Sequence, residues 1–348
     1  MITDSWRGFA SDNYAGVHPA VLRAMDESNV GHQPAYGDDE VTSIATDLVK
    51  DLFGSHAEFY PVFNGTGANV VALQSLTERW QAVICAESSH VHADEGGAPE
   101  KMAGLKLWTV PTPDGKLTPD SVASQCFDMD FVHRAQPGAV SIAQSTELGT
   151  VYSAKEVSAL AECAHRFGTG LHMDGARLAN ATVSNGQSVR SFTSDAGVDV
   201  DSFGGTNNGA MLAEAVVVLQ PDRVRGVDFL RKTSMQLSSK MRFLSAQFVA
   251  LLTDDLWLSN ARHANAMAQA LVHGVRDLPG VHITQDVQAN AVFVILPKDV
   301  TARLQEQFRF YTWNQETGEV RWMCSWDTTE EDIANFVTTI RREIHSSA

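Results

Sequence analysis

Short apolar runs rich in β-branched residues alternate with stretches of helical periodicity up to about residue 250, and no other property of the chain narrows its fold as much. The runs 82–85, 105–110, 139–143, 170–173 and 215–219 have the length and composition of strands buried on both faces. Val41, Ile44, Ala45, Leu48, Val49 and Leu52 recur at helical spacing and stop at Gly54, while Ser153 and Glu156 form a capping box opening a helix that runs to about Phe167. Strand, helix, strand in that order predicts an α/β fold with a mostly parallel sheet and helices on both faces. After about 250 the pattern becomes a long helical stretch over 256–278, strands near 292–296 and 320–324, and a closing helix opened by a second capping box from Thr328 to Glu331. The expected division is 1–250, an N-terminal segment with a large domain, and 251–348, a smaller α+β domain.

A chain of 348 residues with 44% hydrophobic content can bury one large core and a smaller one. A formal charge of -16 argues against a nucleic-acid partner, whose binding draws on clustered Lys and Arg, and favours a small molecule. No apolar run approaches the roughly 18 residues of a membrane span, and Met1 to Ala10 lacks the basic flank and apolar stretch of a signal peptide. The expected location is cytoplasmic, with no membrane partner. Cys85, Cys126, Cys163 and Cys324 are widely separated, so buried free thiols are expected rather than disulfides or a zinc site.

Three segments carry candidate chemistry. Gly65, Thr66 and Gly67 lead into the helical run from Val70 to Leu76, and such a turn offers free backbone N–H groups to a phosphate, although it serves equally as a plain helix cap. Asp174 stands just past the C-terminal end of a buried run, where open α/β sheets bind ligands; its carboxylate suits a protonated pyridine nitrogen, and Arg177 suits a carboxylate. A structural Asp–Arg pair at a strand end would have the same sequence. His90 and His92 follow another run, with Glu95 close behind. An imidazole there can stack on a flat ring or relay a proton, and without a helical His-x-x-x-His face a metal site is the lesser reading.

Six motifs occur in one order: 9–13, 36–40, 65–69, Ser89 and His90 with Glu95 to Gly97, 172–177, and 202–206. Together they resemble the low-specificity L-threonine aldolases over nearly the whole chain. The resemblance implies a fold-type I, pyridoxal-phosphate-dependent transferase-like architecture with a seven-stranded, mostly parallel sheet and a small C-terminal domain. It implies a homotetramer with active sites at a dimer interface, and cleavage of L-threonine, L-allo-threonine or relatives such as phenylserine to glycine and an aldehyde. By the same motifs, Gly65, Thr66, Gly67 and Arg231 would hold the cofactor phosphate, His90 would stack on the ring and position the proton acceptor for the β-hydroxyl, and Asp174 would pair with the ring nitrogen. Ser11, Arg177 and Arg321 would hold the substrate carboxylate, although a strand arginine such as Arg321 also suits a surface.

The chain departs from that pattern twice. Many relatives carry a histidine in the segment here occupied by Ser145, Thr146, Glu147 and Leu148; Glu147 takes over proton transfer if its surroundings raise its pKa, and is otherwise structural. The second departure is Asn207, which occupies the Schiff-base lysine position. An amide nitrogen is not nucleophilic at neutral pH, so pyridoxal 5'-phosphate would bind non-covalently or as an external aldimine, and turnover would be strongly impaired. Lys232 and Lys240 belong to a segment separate from that position. The alternatives are a non-catalytic binder of the cofactor or its amino-acid Schiff base, and a β-eliminating lyase on the same fold.

Overall fold

The computed structural model describes residues 7–346. The expectation about a leader rests also on Met1 to Trp6, which lie outside the described residues. Seven strands, β1 (Glu58–Val62), β2 (Gln81–Ala86), β3 (Lys106–Val110), β4 (Gln136–Ala143), β5 (Gly170–Gly175), β6 (Val200–Gly204) and β7 (Glu214–Val218), form one sheet. Their order is β1-β7-β6-β5-β4-β2-β3, with only β7 antiparallel to its neighbours. A second, antiparallel sheet has the order β10-β11-β9-β8, built from β8 (His282–Ile283), β9 (Ala291–Ile295), β10 (Tyr311–Asn314) and β11 (Glu319–Met323).

The five apolar runs are β2, β3, β4, β5 and β7, and the helices expected at 41–52 and 153–167 are Glu40–Phe53 and Ala154–Arg166. Both β1 and β6 escape the periodicity reading, because Pro61 interrupts one and Asp201 and Ser202 make the other look like a loop. The closing helix, Glu330–His345, has its capping box one residue later than expected, from Thr329 to Asp332. Thr328 is not the cap because its Oγ1 accepts the Ser325 N–H at 2.8 Å.

The larger core packs Phe53, Phe192, Phe203 and Phe248 with aliphatic residues of the strands. The smaller core centres on Trp322 and Phe336, with ring centroids 5.0 Å apart. Phe9 stacks on Phe336 at 4.4 Å, while its carbonyl accepts the Met323 N–H at 2.8 Å. The N-terminal segment is thus tied to β11 before it continues to Ser11 and Asp12.

These connections assemble one crevice. His90 follows β2, Glu147 follows β4, Asp174 ends β5, Asn207 follows β6 and Gly65 follows β1, all at the carboxyl edge of the sheet. Because β7 runs the other way, its first residue, Glu214, arrives at the same edge. Gly204 allows this crowding: a Cβ there would stand 2.7 Å from the Ala176 Cα and 2.8 Å from its carbonyl oxygen. Backbone cannot withdraw as a side chain can, so Gly204→Ala is expected to lower stability by about 1–3 kcal/mol, the usual cost of overpacking, read as a lower denaturation midpoint.

Candidate active site

The crevice is a cavity of about 1070 Å³ lined from both sheets and the N-terminal segment. Asp12, 2% exposed, lies outside the lining but bonds Arg177 and Asn207, which are part of it. One carboxylate oxygen accepts from Arg177 Nη2 at 2.9 Å and Asn207 Nδ2 at 2.7 Å; the other accepts from Arg177 Nε at 2.8 Å and Asn290 Nδ2 at 3.0 Å. Burial works to raise its pKa, but the Arg177 guanidinium and the two amides outweigh it and hold the group below the usual carboxylate range. Arg177 therefore turns its Nε, Nη2 edge to Asp12.

Arg321 occupies the small-sheet side of the cavity. Its Nη2 donates to the Ala10 carbonyl at 3.1 Å, its guanidinium lies 4.7 Å from the Trp313 ring centroid, and its buried Nε has no hydrogen-bond partner among the described residues. Burial, and then the positive Arg177 nearby, push its pKa down to about 10. A guanidinium with a buried unpartnered N–H, as at Arg321, favours an anion. Ser11 also lines the cavity, but its hydroxyl accepts the Asn13 N–H at 3.1 Å and caps a short turn.

On the large-sheet side, Gly65 and Thr66 line the cavity at the start of the helix Gly65–Leu76. Asn64 caps that helix through the Gly67 N–H at 2.7 Å, and a Cβ at Gly65 would meet nothing within 4 Å. The first turn therefore presents N–H groups to open space, an arrangement suited to a phosphate. Gly67 itself is covered by Gln236, whose side chain would lie 2.3 Å from an added Cβ. Arg231 is outside the cavity lining; it reaches the Pro61 carbonyl at 3.5 Å and Asp228 at 3.3 Å, and burial lowers its pKa.

Acidic groups form the floor. Asp174 accepts from Asn69 Nδ2 at 2.8 Å and from the Ala176 N–H at 3.1 Å. Glu147 accepts the His90 backbone N–H at 2.6 Å; burial and then the Asp174 charge push its carboxyl up to about 7. Glu214 accepts the Thr206 N–H at 3.1 Å, and burial pushes it to about 7 as well. The His90 Nδ1 lies 2.9 Å from Glu95, a hydrogen bond that, with Asp174 and Glu147 assisting and burial opposing, raises the imidazole to about 9. His90, Glu95 and Asp174 bring donor atoms within 4.8 Å of one another, and the Asn69 N–H group bridges the two carboxylates. His92 is outside the cavity lining, and all four cysteines are buried and free.

The structure thus gathers Ser11, Gly65, Thr66, His90, Glu147, Asp174, Arg177, Asn207 and Arg321 around one cavity. Sequence reasoning assigned no role to Asp12 or Asn69, although both stand inside motifs it singled out. It passed over Glu214 and Asn290, which carry no local mark. Lys232 and Lys240 are both outside the cavity lining, and the Lys232 amine lies 5.5 Å from the Tyr36 ring centroid.

A mostly parallel seven-stranded sheet with a small antiparallel domain, a phosphate-ready helix start and a carboxylate at the end of β5 is the architecture of fold-type I pyridoxal-phosphate enzymes. The chain belongs to the beta-eliminating lyase family, whose model matches residues 8–298. It is 42% identical to the low specificity L-threonine aldolase of Pseudomonas sp. (strain NCIMB 10558) and 43% identical to that of Pseudomonas aeruginosa, in each case over 98% of this chain and 99% of the relative. Its structure is similar to that of Leishmania major threonine aldolase, with a TM-score of 0.91 and 30% identity over 97% of this chain and 99% of that one.

Replacing Asp12 by alanine would leave Arg177 charged and part-buried without its partner. Asp12→Ala is expected to cost about 3–5 kcal/mol of stability, measured by denaturant unfolding.

Proposed function

We propose that the protein is built as a pyridoxal-phosphate-dependent lyase that cleaves the Cα–Cβ bond of L-threonine, L-allo-threonine and related β-hydroxy-α-amino acids to glycine and an aldehyde, and that Asn207 holds its turnover very low. The observation that carries this reading is the pairing of Arg321, with its unpartnered Nε and Arg177 nearby, with a carboxyl group at about 7 across one cavity. The residues present fit the cofactor. Gly65 and Thr66 offer N–H groups for its phosphate, His90 offers a flat ring, and Asp174, already held in place by Asn69, offers a carboxylate to the ring nitrogen. When bound, pyridoxal phosphate supplies a cationic ring able to take up the electron pair released from the substrate.

The side chains do the rest. Arg321, with its unpartnered Nε, and Arg177 hold the substrate carboxylate, and that orientation selects which bond at Cα stands ready to break. Glu147 takes the proton of the β-hydroxyl, since a base whose pKa lies near neutrality is both ionised and basic enough to act. His90 positions it through the 2.6 Å backbone bond. Asn207 donates to Asp12 and offers no amine, so the step that loads substrate by exchange with a lysine is missing.

We place the protein in the cytoplasm as a homotetramer. A patch in which Arg242 bonds the Val30 carbonyl and Lys232 lies over Tyr36 exposes Val30 at 62% and Met235 at 68%, which supports an assembly face. No helix of the described residues is long and apolar enough to cross a membrane.

Asn207→Lys is expected to give cofactor-dependent glycine release from threonine on the order of 10²–10⁴-fold above the unaltered chain, the range for restoring one positioned reactive group. Absence of any gain sinks the proposal, and release of pyruvate and ammonia from a β-substituted amino acid instead would assign β-elimination. In the same Asn207→Lys protein, turnover should rise with pH through about 7, because Glu147 accepts a proton only once it has lost its own. Glu147→Gln should remove that limb of the profile.

A further inference from the structure

Behind His90 stands a carboxylate that the reaction above does not use. The Glu95 side chain is fully buried and outside the cavity lining. Its Oε1 takes both the His90 Nδ1 at 2.9 Å and the Asn69 Nδ2 at 2.7 Å, while its Oε2 has no partner among the described residues. The same Asn69 nitrogen spends its other hydrogen on Asp174 Oδ2 at 2.8 Å. One amide therefore ties together two buried carboxylates that would otherwise repel, and the ring of His90 is the cationic partner at the end of the chain. An imidazole whose Nδ1 is engaged by a buried carboxylate is fixed in orientation and disposed to keep its proton.

We propose that Glu95, held by Asn69, is a positioning residue that fixes the His90 ring through Nδ1 and keeps it a proton-bearing donor toward the cavity, leaving Glu147 as the proton acceptor. This rests on the proposed reading of the cavity. The charged groups facing His90 are Glu95, Asp174 and Glu147, from three separate elements, and all of them favour the imidazolium. Glu95 accounts for the largest part of the rise to about 9, and burial of the ring is the opposing influence. His90, which lines the cavity, would then face the cofactor as a cation, and a proton-bearing donor there assists a developing negative charge but cannot collect a proton.

The first readout needs neither cofactor nor turnover, so its failure is distinguishable from failure of the lyase reading, which glycine release by the Asn207→Lys protein decides. In the 15N-histidine-labelled, cofactor-free chain, the His90 resonance is assigned by its loss in His90→Gln and titrated. A midpoint near 9 is expected in the unaltered chain, and a fall of about two pH units toward the ordinary value near 6.5 in Glu95→Gln, which keeps the shape but removes the charge. A midpoint near 6.5 in the unaltered chain overturns the proposal without any variant, as does an unchanged midpoint in Glu95→Gln. A second readout is pyridoxal-phosphate affinity: Glu95→Gln and His90→Gln should each weaken binding, and the double variant should match His90→Gln within about twofold, because the carboxylate acts through the ring. Fully additive losses overturn the assignment.

Discussion

The buried ion pair between Asp12 and Arg177 is the contact on which the arrangement of this molecule depends. It joins three parts of the chain that share no secondary-structure element: the N-terminal segment, the turn after β5, and, through Asn290 and the Met323 sulfur, the small domain. A buried charge is costly alone, so each partner enforces the other's position. Three residues before Asp12, Phe9 is stacked in the smaller core, which ties the same segment to that core. The geometry of the cavity is therefore coupled to the packing of the second sheet.

Asn207 has a physical logic of its own within this frame. Asp12 accepts hydrogen bonds from four directions, and the Asn207 amide supplies one of them without adding charge. On the proposed reading, the position that would carry the reactive amine is filled by a group that satisfies its neighbour and can do nothing nucleophilic. The anion site, the phosphate-ready turn and the acidic floor remain assembled around it. Under that reading binding and turnover are separable, because the residues proposed to orient a substrate are not the residue that would exchange with it.

The charges of the cavity are sorted by wall. Arg321 stands on the small-sheet side, and Arg177, which reaches the Met323 sulfur, is near enough that its positive charge, after burial, lowers the Arg321 pKa. Asp174, Glu95 and Glu147 stand on the large-sheet side, where their mutual field raises His90 and where burial, with Asp174, raises Glu147. On the proposed reading, an amino acid bound across these walls would present its carboxylate to the arginines and its β-hydroxyl to the acidic side.

Much of this was legible in the chain itself, for a local reason. Buried strands such as β2, β4 and β7 announce themselves by apolar composition, the helix Ala154–Arg166 by its cap, and Asp174, Gly65 and His90 by standing next to such elements. These signals lie within a few residues of one another, so periodicity and contiguous motifs determine them. What the tertiary structure alone decided are contacts across long separations: Asp12 with Arg177 and Asn290, Asn69 with Glu95 and Asp174, Glu147 with the His90 backbone, and Glu214 brought to the cavity by the reversed direction of β7. The sequence supplies the donor and the acceptor in each case, but neither carries a mark of the other. Only packing of the two sheets brings them within hydrogen-bond distance and gives them the burial that sets their charge.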